Sequence, residues 1–289
     1  MKIYYLDHNI YIYALSDTAI IDAIELCKKN KVQFAYSPAH IEEIYKALID
    51  NNVQPYIQTA QKLLNLISRT TNSLELLPSG TGIVMRREPP SNCFHRVHKF
   101  DTTERIASDS KQIFQTDRAS YHSLQSEDKH FRDISNVPPD KIWEHPNFKK
   151  TIDEINQAMP YIVQKQNHSF DTFYCGLQGA DKKLPTDLRI EPNSFQVLRA
   201  SHTQLEFIIE KLFRVLSVHG YNADTSAESA ISGIHDITHA IYATETDKFF
   251  TTDERFAQRC RAVYFFLGIP TQVVSCKPNQ IVTTLQNSI

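Results

Sequence analysis

Short apolar runs near the N-terminus alternate with segments in which apolar residues recur at helical spacing. Residues 2–6 and 32–36 are nearly continuous apolar runs, as is typical of strands buried on both faces. Residues 10–28 carry apolar side chains at helical spacing and predict a helix that breaks near Ser16 and Asp17. This part of the chain is therefore predicted to form a strand, a broken helix and a second strand.

Another helix is predicted directly after the second apolar run. Ser37 followed by Pro38 is the pattern of an N-cap residue and a proline in the first helical turn. The buried face of this helix is predicted to consist of Ile41, Ile44, Tyr45 and Leu48.

The C-terminal part of the chain repeats the alternation. Its predicted elements are, in order, a helix at 224–244, a strand at 249–252, a helix at 253–267 and a strand at 271–275. Gly268 and Pro270 are typical of residues that follow a helix end. Alternation of this kind at both ends of the chain predicts an α/β fold with a parallel, Rossmann-like central sheet.

The middle of the chain has a different pattern. Residues 78–82 form a glycine-containing turn, and helices are predicted at 102–116, 149–165 and 194–218. We therefore predict one α/β domain, built from residues 1–69 and 222–289, with a mainly helical insertion at 70–221. Connections of this length usually carry function or an extra subdomain.

Composition narrows the class of protein. The 289 residues are 41% hydrophobic and 22% charged, which is ordinary for a soluble globular protein, and the net charge of −2 leaves room for a local basic surface. Five dispersed cysteines without a C-x-x-C pair favour reduced thiols. Asp7 interrupts the first apolar run too early for a signal peptide, and no window is apolar enough to span a membrane. A cytoplasmic protein is predicted.

Four acidic residues lie where the predicted strands end or where helices begin beside them. They are Asp7, Glu43, Asp236 and Asp253. Because the carboxyl ends of parallel strands open into one crevice, we expect these residues to converge there. Carboxylates in one crevice repel each other unless a cation neutralises them. Oxygen ligands suit Mg²⁺ or Mn²⁺, which drive phosphodiester chemistry.

Each acid also has an ordinary structural explanation. Asp7 and Asp253 are both placed to cap the helix that follows. Glu42 and Glu43 both border the apolar stripe of their helix, so either one is able to face the crevice while the other is solvated. Asp236 lies in an apolar helix, where it needs a partner or must face the surface.

Two histidines flank Asp236 in the same predicted helix. His235 and His239 are four residues apart, which places both imidazoles on one helical face, as in zinc sites. No glutamate follows His235, as a metalloprotease would require. We therefore expect His239 to pack or to form hydrogen bonds.

Basic residues suggest two surfaces for nucleic-acid contact. Arginines next to an aromatic side chain are able to hold a single-stranded backbone and to stack a base. The first candidate surface contains Phe94 with Arg86, Arg87, Arg96 and Lys99. The second, near Asp253, contains Arg255 and Arg259, followed by Arg261. The alternative for both is a solvated surface without a ligand.

Taken together, these residues resemble the PIN-domain nucleases. The family pattern has Asp-x-Asn after the first strand, a Glu about six residues after a Ser or Thr, an Asp in a later helix, and Thr-x-Asp at the end of a strand. The matching positions in this chain are Asp7 with Asn9, Ser37 with Glu43, Asp236, and Thr251 with Asp253. The resemblance covers roughly residues 1–65 and 222–285 and leaves the middle of the chain unexplained.

The resemblance implies a metal-dependent endoribonuclease in which the four acids hold one or two Mg²⁺ or Mn²⁺ ions. Asn9, Ser37 and Thr251 would support these ligands by hydrogen bonds, and water would attack the phosphorus. Because water attacks the phosphorus and no 2′-hydroxyl is needed, DNA is an alternative substrate. By analogy with the family, a toxin or defence role, an antitoxin or other protein partner and a homo-oligomer are also expected.

Three other functions compete with the nuclease. A haloacid-dehalogenase-like phosphatase also starts with a strand and an aspartate, but here Asn9 replaces its second aspartate. An HD-type phosphohydrolase would use His235 and Asp236, but it requires an all-helical body. The third is a catalytically silent RNA- or protein-binding module on the same fold.

Overall fold

A four-stranded parallel sheet lies at the centre of the protein. The structure, a computed structural model, describes residues 1–51, 54–99, 134–173, 183–223 and 227–289. The spatial order of the strands is β2, β1, β5, β6. The strands are β1 (Lys2–Leu6), β2 (Val32–Ala35), β5 (Lys248–Thr251) and β6 (Gln272–Ser275). The first strand is therefore central, between β2 and β5.

Helices make up most of the rest of the described chain. They are α1 (His8–Ser16), α2 (Thr18–Lys29), α3 (Pro38–Asn51), α4 (Gln54–Thr71), α5 (Pro90–Lys99), α6 (Pro146–Phe173), α7 (Phe195–Leu198), α8 (His202–Val218), α9 (Ala227–Ala243), α10 (Glu254–Leu267) and α11 (Ile281–Gln286). The described residues also include 3₁₀ helices at 134–136, Ile142–Glu144 and Pro278–Gln280. In the part of the chain that the structure describes, no helix is both long enough and apolar enough to cross a membrane.

The central sheet separates two hydrophobic layers. Side chains alternate between the faces of a strand, so Tyr5 enters one layer while Tyr4 and Leu6 enter the other. Helices α1, α2 and α4 cover the face of Tyr4, and α6, α8 and α10 cover the face of Tyr5. This layering is that of an α/β fold, as predicted.

A separate hairpin, β3 (Leu74–Ser79) with β4 (Gly82–Arg87), pairs antiparallel beside the central sheet. It contacts that sheet through a single parallel bridge between Tyr36 and Glu75. The sequence predicted only the turn of this hairpin, because apolar and polar residues do not alternate clearly along its two strands.

The predicted elements of the two ends agree with the structure to within a few residues. The first helix breaks between Ser16 and Thr18, and Gly268 ends α10 in the left-handed conformation, with φ of 72°. The helix predicted at 149–165 is part of the longer α6, and the one predicted at 194–218 is divided into α7 and α8. The predicted helix at 102–116 and the capping residues 224–226 lie outside the described residues.

The described part of the segment 70–221 packs against the central sheet. Helices α6, α7 and α8 share one hydrophobic layer with Tyr5 and Phe249, whereas α5 enters the other layer through Cys93. The predicted boundary after residue 69 falls inside α4. The described part of the segment is mainly helical and also contributes the hairpin. By packing against the central sheet, the described part of this segment supports the sheet whose edge carries the candidate site.

Gly82 is required where the hairpin meets the loop before α8. Its φ is 103°, and a Cβ atom built on it would lie 2.1 Å from the carbonyl oxygen of Arg199. Gly82→Ala is therefore expected to lower the free energy of unfolding by roughly 2 kcal/mol, through strain and displacement of that backbone. Urea unfolding followed by circular dichroism measures this change.

Gly80→Ala is the matched control for that substitution, because nothing lies within 4 Å of a Cβ atom at Gly80. We expect it to change the unfolding free energy by less than about 0.5 kcal/mol. Equal effects of the two substitutions would contradict the close approach of Gly82 to Arg199.

Candidate metal centre

Asp7 lies at the carboxyl end of the central strand. Its backbone N–H donates to the carbonyl oxygen of Phe250 at 2.8 Å, which fixes it to β5. Its carboxylate Oδ2 accepts a hydrogen bond from the Thr251 hydroxyl at 2.8 Å. Asp7 precedes α1 but forms no side-chain capping bond, which rules against the capping alternative. The side chain is instead buried at the edge of the sheet, 2% exposed.

Glu43 and His239 face Asp7 from helices α3 and α9. His239 Nε2 lies 2.7 Å from Glu43 Oε1. Asp7, Glu43 and His239 each offer a ligand atom, and these three atoms all lie within 4.8 Å of one another. Glu42 points away, with its carboxylate 4.0 Å from His235 Nδ1. Of the two adjacent acids, Glu43 is the one that faces the site.

Asp236 completes the group of acids from the helix that carries His239. The pKa of Asp236 is raised well above its ordinary value, first by burial and then by the negative charges of Asp7 and Glu43. The positive charge of Arg259 partly offsets this rise, and Asp253 adds to it. Asp236 therefore lies within the electrostatic influence of the other three acids, but of the four predicted acids only Asp7 and Glu43 belong to the cluster of ligand atoms within 4.8 Å.

Asp253 is the most exposed of the four acids and has a structural task as well. Its carboxylate accepts a hydrogen bond from the Phe256 backbone N–H at 3.0 Å, which caps α10. Its backbone N–H donates to the Thr251 hydroxyl oxygen at 3.1 Å. The capping alternative thus holds for Asp253. Its charge nevertheless raises the pKa of Asp7, so it borders the same site.

Ionisation of the buried Asp7 carboxyl group is unfavourable. Burial, and secondly the charge of Glu43, raises the pKa of Asp7 to about 7. Hydrogen bonds from Thr251 and the His8 backbone N–H oppose this rise. A cation bound next to Asp7 would lower this pKa again, because it favours the ionised form of each carboxylate.

Ser37, Tyr5, His239 and Glu43 form a chain of hydrogen bonds beside Asp7. Because the Glu43 carboxylate accepts from His239 Nε2, the other ring nitrogen is unprotonated and accepts from the Tyr5 hydroxyl at 2.7 Å. The Ser37 hydroxyl donates to the Tyr5 oxygen at 2.5 Å. Burial raises the pKa of Tyr5 well above its ordinary value, so this hydroxyl keeps its proton. His239 therefore forms hydrogen bonds, as predicted.

Two further histidines, His8 and His40, lie in the site and were missed by sequence reasoning. His40 Nδ1 accepts from the Ser37 backbone N–H at 3.1 Å, and its Nε2 donates to the Leu6 carbonyl at 2.8 Å. His8 is buried, and its Nδ1 has no hydrogen-bond partner among the described residues. The adjacency of His8 to Asp7 was the only sequence signal for it.

Asn9 does not support the carboxylates. It lies exposed on the first turn of α1, on a different side from the buried Asp7. Ser37 acts on the site through Tyr5, and Thr251 binds Asp7 directly. Of the three predicted supporting residues, Ser37 and Thr251 are in place.

The first predicted basic surface is largely an ion-pair network. Arg86 Nε lies 3.3 Å from a carboxylate oxygen of Glu75, and Arg96 binds the other oxygen of the same carboxylate. Both arginines also approach Glu88, at 3.6 and 3.7 Å. The side chain of Glu75 is completely buried. Arg86 and Arg96 therefore neutralise a buried acid, which corrects their assignment to nucleic-acid contact.

The remaining basic residues divide between structural and exposed positions. Arg87 donates to the Asn72 carbonyl at 2.7 Å, and the side chain of Lys99 lies outside the described part of the structure. Arg259 is buried, 3% exposed, and its charge acts on Asp236. It is therefore a counter-charge for the acids rather than a surface contact for phosphate. Arg255 is exposed on the first turn of α10, so its side chain is accessible for the predicted contact with nucleic acid.

The donor set fits a divalent metal. Asp7 and Glu43 offer carboxylate oxygens, the charge of Glu43 makes ionisation of Asp7 less favourable, and Asp253 adds to this effect. His8 Nδ1 is a buried polar atom without a hydrogen-bond partner among the described residues. Buried polar atoms are normally satisfied, so an exception beside a carboxylate cluster is consistent with a ligand site.

Comparison of the chain with models of protein families, with curated proteins and with solved structures finds no match. What the site does must therefore be inferred from its own geometry and chemistry.

Proposed function

We propose that this protein is a Mg²⁺- or Mn²⁺-dependent endoribonuclease with a PIN-like, Rossmann-type fold. The observation that carries this proposal is the cluster of Asp7, Glu43 and His239 at the carboxyl edge of a parallel sheet, where their ligand atoms lie within 4.8 Å of one another. The charges of Asp236 and Asp253 act on the same group, so unfavourable negative charge is concentrated at this edge. Such a charge is best explained by binding of a cation.

Asp7 and Glu43 would hold the metal, with Asp236 and Asp253 as further acidic ligands or neighbours. The chemistry that a divalent ion supplies in such a site is activation of water and stabilisation of charge on phosphate oxygens. Thr251 holds the Asp7 carboxylate in place through its hydroxyl, and the pair of His239 with Tyr5 orients Glu43.

Arg259 moderates the charge of the site from within the protein. Its positive charge partly offsets the rise in the pKa of Asp236 that burial and the neighbouring acids cause. Arg255 is exposed at the N-terminus of α10, next to Asp253. We assign Arg255 to contact with the substrate backbone, where a guanidinium and a helix N-terminus both attract phosphate.

The substrate and the partners follow from the resemblance to PIN nucleases rather than from the site. We propose RNA as substrate, with DNA as an alternative, because attack by water needs no 2′-hydroxyl. A toxin or defence role, an antitoxin or other protein partner, a homo-oligomer and a cytoplasmic location belong to the same proposal.

Glu43→Gln tests the proposal against its neighbour Glu42→Gln. With a fluorogenic single-stranded RNA and Mn²⁺, we expect Glu43→Gln to lower the cleavage rate about 100-fold or more, because it removes a ligand from the metal centre. Glu42→Gln is expected to stay within about threefold of the wild type, since its carboxylate faces His235. EDTA should abolish cleavage by the wild type.

Three outcomes would contradict the proposal. Cleavage that resists EDTA would exclude the metal, and equal effects at the two glutamates would exclude the assigned geometry. Hydrolysis of p-nitrophenyl phosphate without cleavage of RNA or DNA would favour the phosphatase. A single-stranded DNA of the same sequence, assayed in parallel, separates ribonuclease from general nuclease activity.

A further inference from the structure

Two imidazoles stand beside the carboxylates of the candidate metal centre, and the proposed Mg²⁺ chemistry does not require either. His239 contributes one of the three ligand atoms that lie within 4.8 Å of one another, together with Asp7 and Glu43. His8 is 7% exposed, and its Nδ1 has no hydrogen-bond partner among the described residues. Oxygen ligands alone would suffice for Mg²⁺, so Mg²⁺ binding does not explain the presence of these two imidazoles.

We propose that His239 and His8 supply nitrogen ligands next to Asp7 and Glu43, so that the centre binds first-row transition metals such as Mn²⁺, Co²⁺ or Zn²⁺ in preference to Mg²⁺. This inference rests on the metal centre of the proposed function and specifies which class of ion it holds. Carboxylate and water suit Mg²⁺, whereas imidazole suits the transition metals, so the donor set itself selects the ion.

The hydrogen bonds around His239 allow it to become a ligand while its other ring nitrogen stays hydrogen-bonded to Tyr5. Binding through Nε2 requires that the proton of this ring lie on Nδ1, which faces the Tyr5 oxygen at 2.7 Å. Tyr5 would then accept from Nδ1 and donate to Ser37, whose oxygen lies 2.5 Å away. Because both hydroxyl groups rotate, the chain reverses its direction, and a metal replaces the proton between His239 and Glu43.

His8 follows Asp7 directly in the chain and is buried in the same region. Its ring centroid lies 6.4 Å from that of His40, whose own ring lies against His239 with centroids 4.6 Å apart. His8 therefore offers a buried ring nitrogen, Nδ1, without a hydrogen-bond partner among the described residues, in the residue that follows the ligand Asp7.

The other two histidines of the region are unsuited to the role. His40 uses both ring nitrogens in hydrogen bonds to the backbone of Ser37 and Leu6. His235 lies one turn from His239 on α9, but its Nδ1 faces Glu42 at 4.0 Å. His235 is thus a matched control, since it is a histidine of the same helix outside the proposed ligand set.

Electron spin echo spectroscopy of the Mn²⁺-loaded wild-type protein tests the inference directly. We expect nitrogen modulation from coordinated imidazole, which is weakened in His239→Gln, lost in the double variant with His8→Asn, and retained in His235→Gln. Calorimetric titration should show Co²⁺ binding weakened about 10- to 100-fold in His239→Gln, with Mg²⁺ binding changed by less than about threefold.

Absence of nitrogen modulation in the wild type, with Co²⁺ affinity unchanged in His239→Gln but lost in Asp7→Asn, would overturn the inference. The carboxylate centre of the proposed function would survive that result. Failure of the wild type to bind any of Mg²⁺, Mn²⁺ and Co²⁺ would overturn both. The wild-type spectrum needs no substitution, so a variant that fails to fold does not prevent the test.

Discussion

Asp7→Asn is expected to lower RNA cleavage by about 1000-fold or more while making the metal-free protein more stable. The loss follows because Asp7 offers a ligand atom at the centre of the site and has no role in capping α1. The gain in stability follows because the substitution removes a buried charge that Glu43 repels. Asparagine keeps an oxygen that accepts from Thr251. Activity and stability therefore change in opposite directions.

The stability gain should depend on pH in a defined direction. The pKa of Asp7 is raised from 3.8 to about 7, so the folded protein binds a proton more tightly than the unfolded chain does. Ionisation of Asp7 therefore costs the fold increasing stability as pH rises through this window, and the cost is absent at lower pH. The full shift corresponds to about 4 kcal/mol, and we expect roughly 2–4 kcal/mol for Asp7→Asn above about pH 7.

Urea unfolding of wild type and Asp7→Asn in EDTA, between about pH 5 and pH 8, measures this difference. Asp17→Asn is the matched control, because Asp17 caps α2 by accepting from the Ala19 backbone N–H at 3.0 Å and asparagine caps equally well. A stability difference that stays flat with pH, or that falls as pH rises, would contradict the raised pKa. Retained cleavage by Asp7→Asn would exclude Asp7 from the reaction.

Arg96→Ala is expected to lower the free energy of unfolding by about 3 kcal/mol, because it removes one of the two cations that neutralise the buried Glu75. Glu75 lies on β3, Arg86 on β4 and Arg96 on α5, so the network fastens the hairpin to the helix. In this variant Arg86 still pairs with Glu75, which limits the loss of stability. Thermal or urea unfolding at low and high salt measures the effect, and salt should weaken it little at a buried carboxylate.

Arg87→Ala is the control for that substitution. Arg87 is the last residue of β4, and its side chain donates a hydrogen bond to the Asn72 carbonyl oxygen. We expect its loss to cost less than about 1 kcal/mol. If Arg96→Ala proved as mild as Arg87→Ala and instead weakened RNA binding, the earlier assignment of Arg96 to nucleic-acid contact would be restored.

The two ends of the chain were predictable because their patterns are local. Strands β1 and β2 are apolar runs, the break between α1 and α2 coincides with Ser16 and Asp17, and Gly268 marks the end of α10. Each of these signals depends on a few neighbouring residues and on the period of the backbone. The hairpin was harder to predict, since its strands are partly exposed and its pairing with the central sheet is a bridge between Tyr36 and Glu75.

Convergence of the acids was also predictable, because the carboxyl ends of parallel strands meet at one edge. The roles of individual side chains were not. Glu42 and Glu43 border the same apolar stripe, and only the packing of α3 against α9 decides which one meets His239. Arg96 looked like a surface cation until the hairpin placed the buried Glu75 beside it.

The sequence by itself determined the α/β class, most element boundaries at the two ends, and which acids compete for one crevice. These properties follow from local periodicity and from the geometry of parallel sheets. Only the tertiary structure decided which carboxylate faces inward, which arginine is a buried counter-charge, and that Tyr5, His8 and His239 adjoin Asp7. Several of those relations join residues far apart in the sequence, such as Tyr5 with His239, and distances across packed layers are set by all the side chains between them.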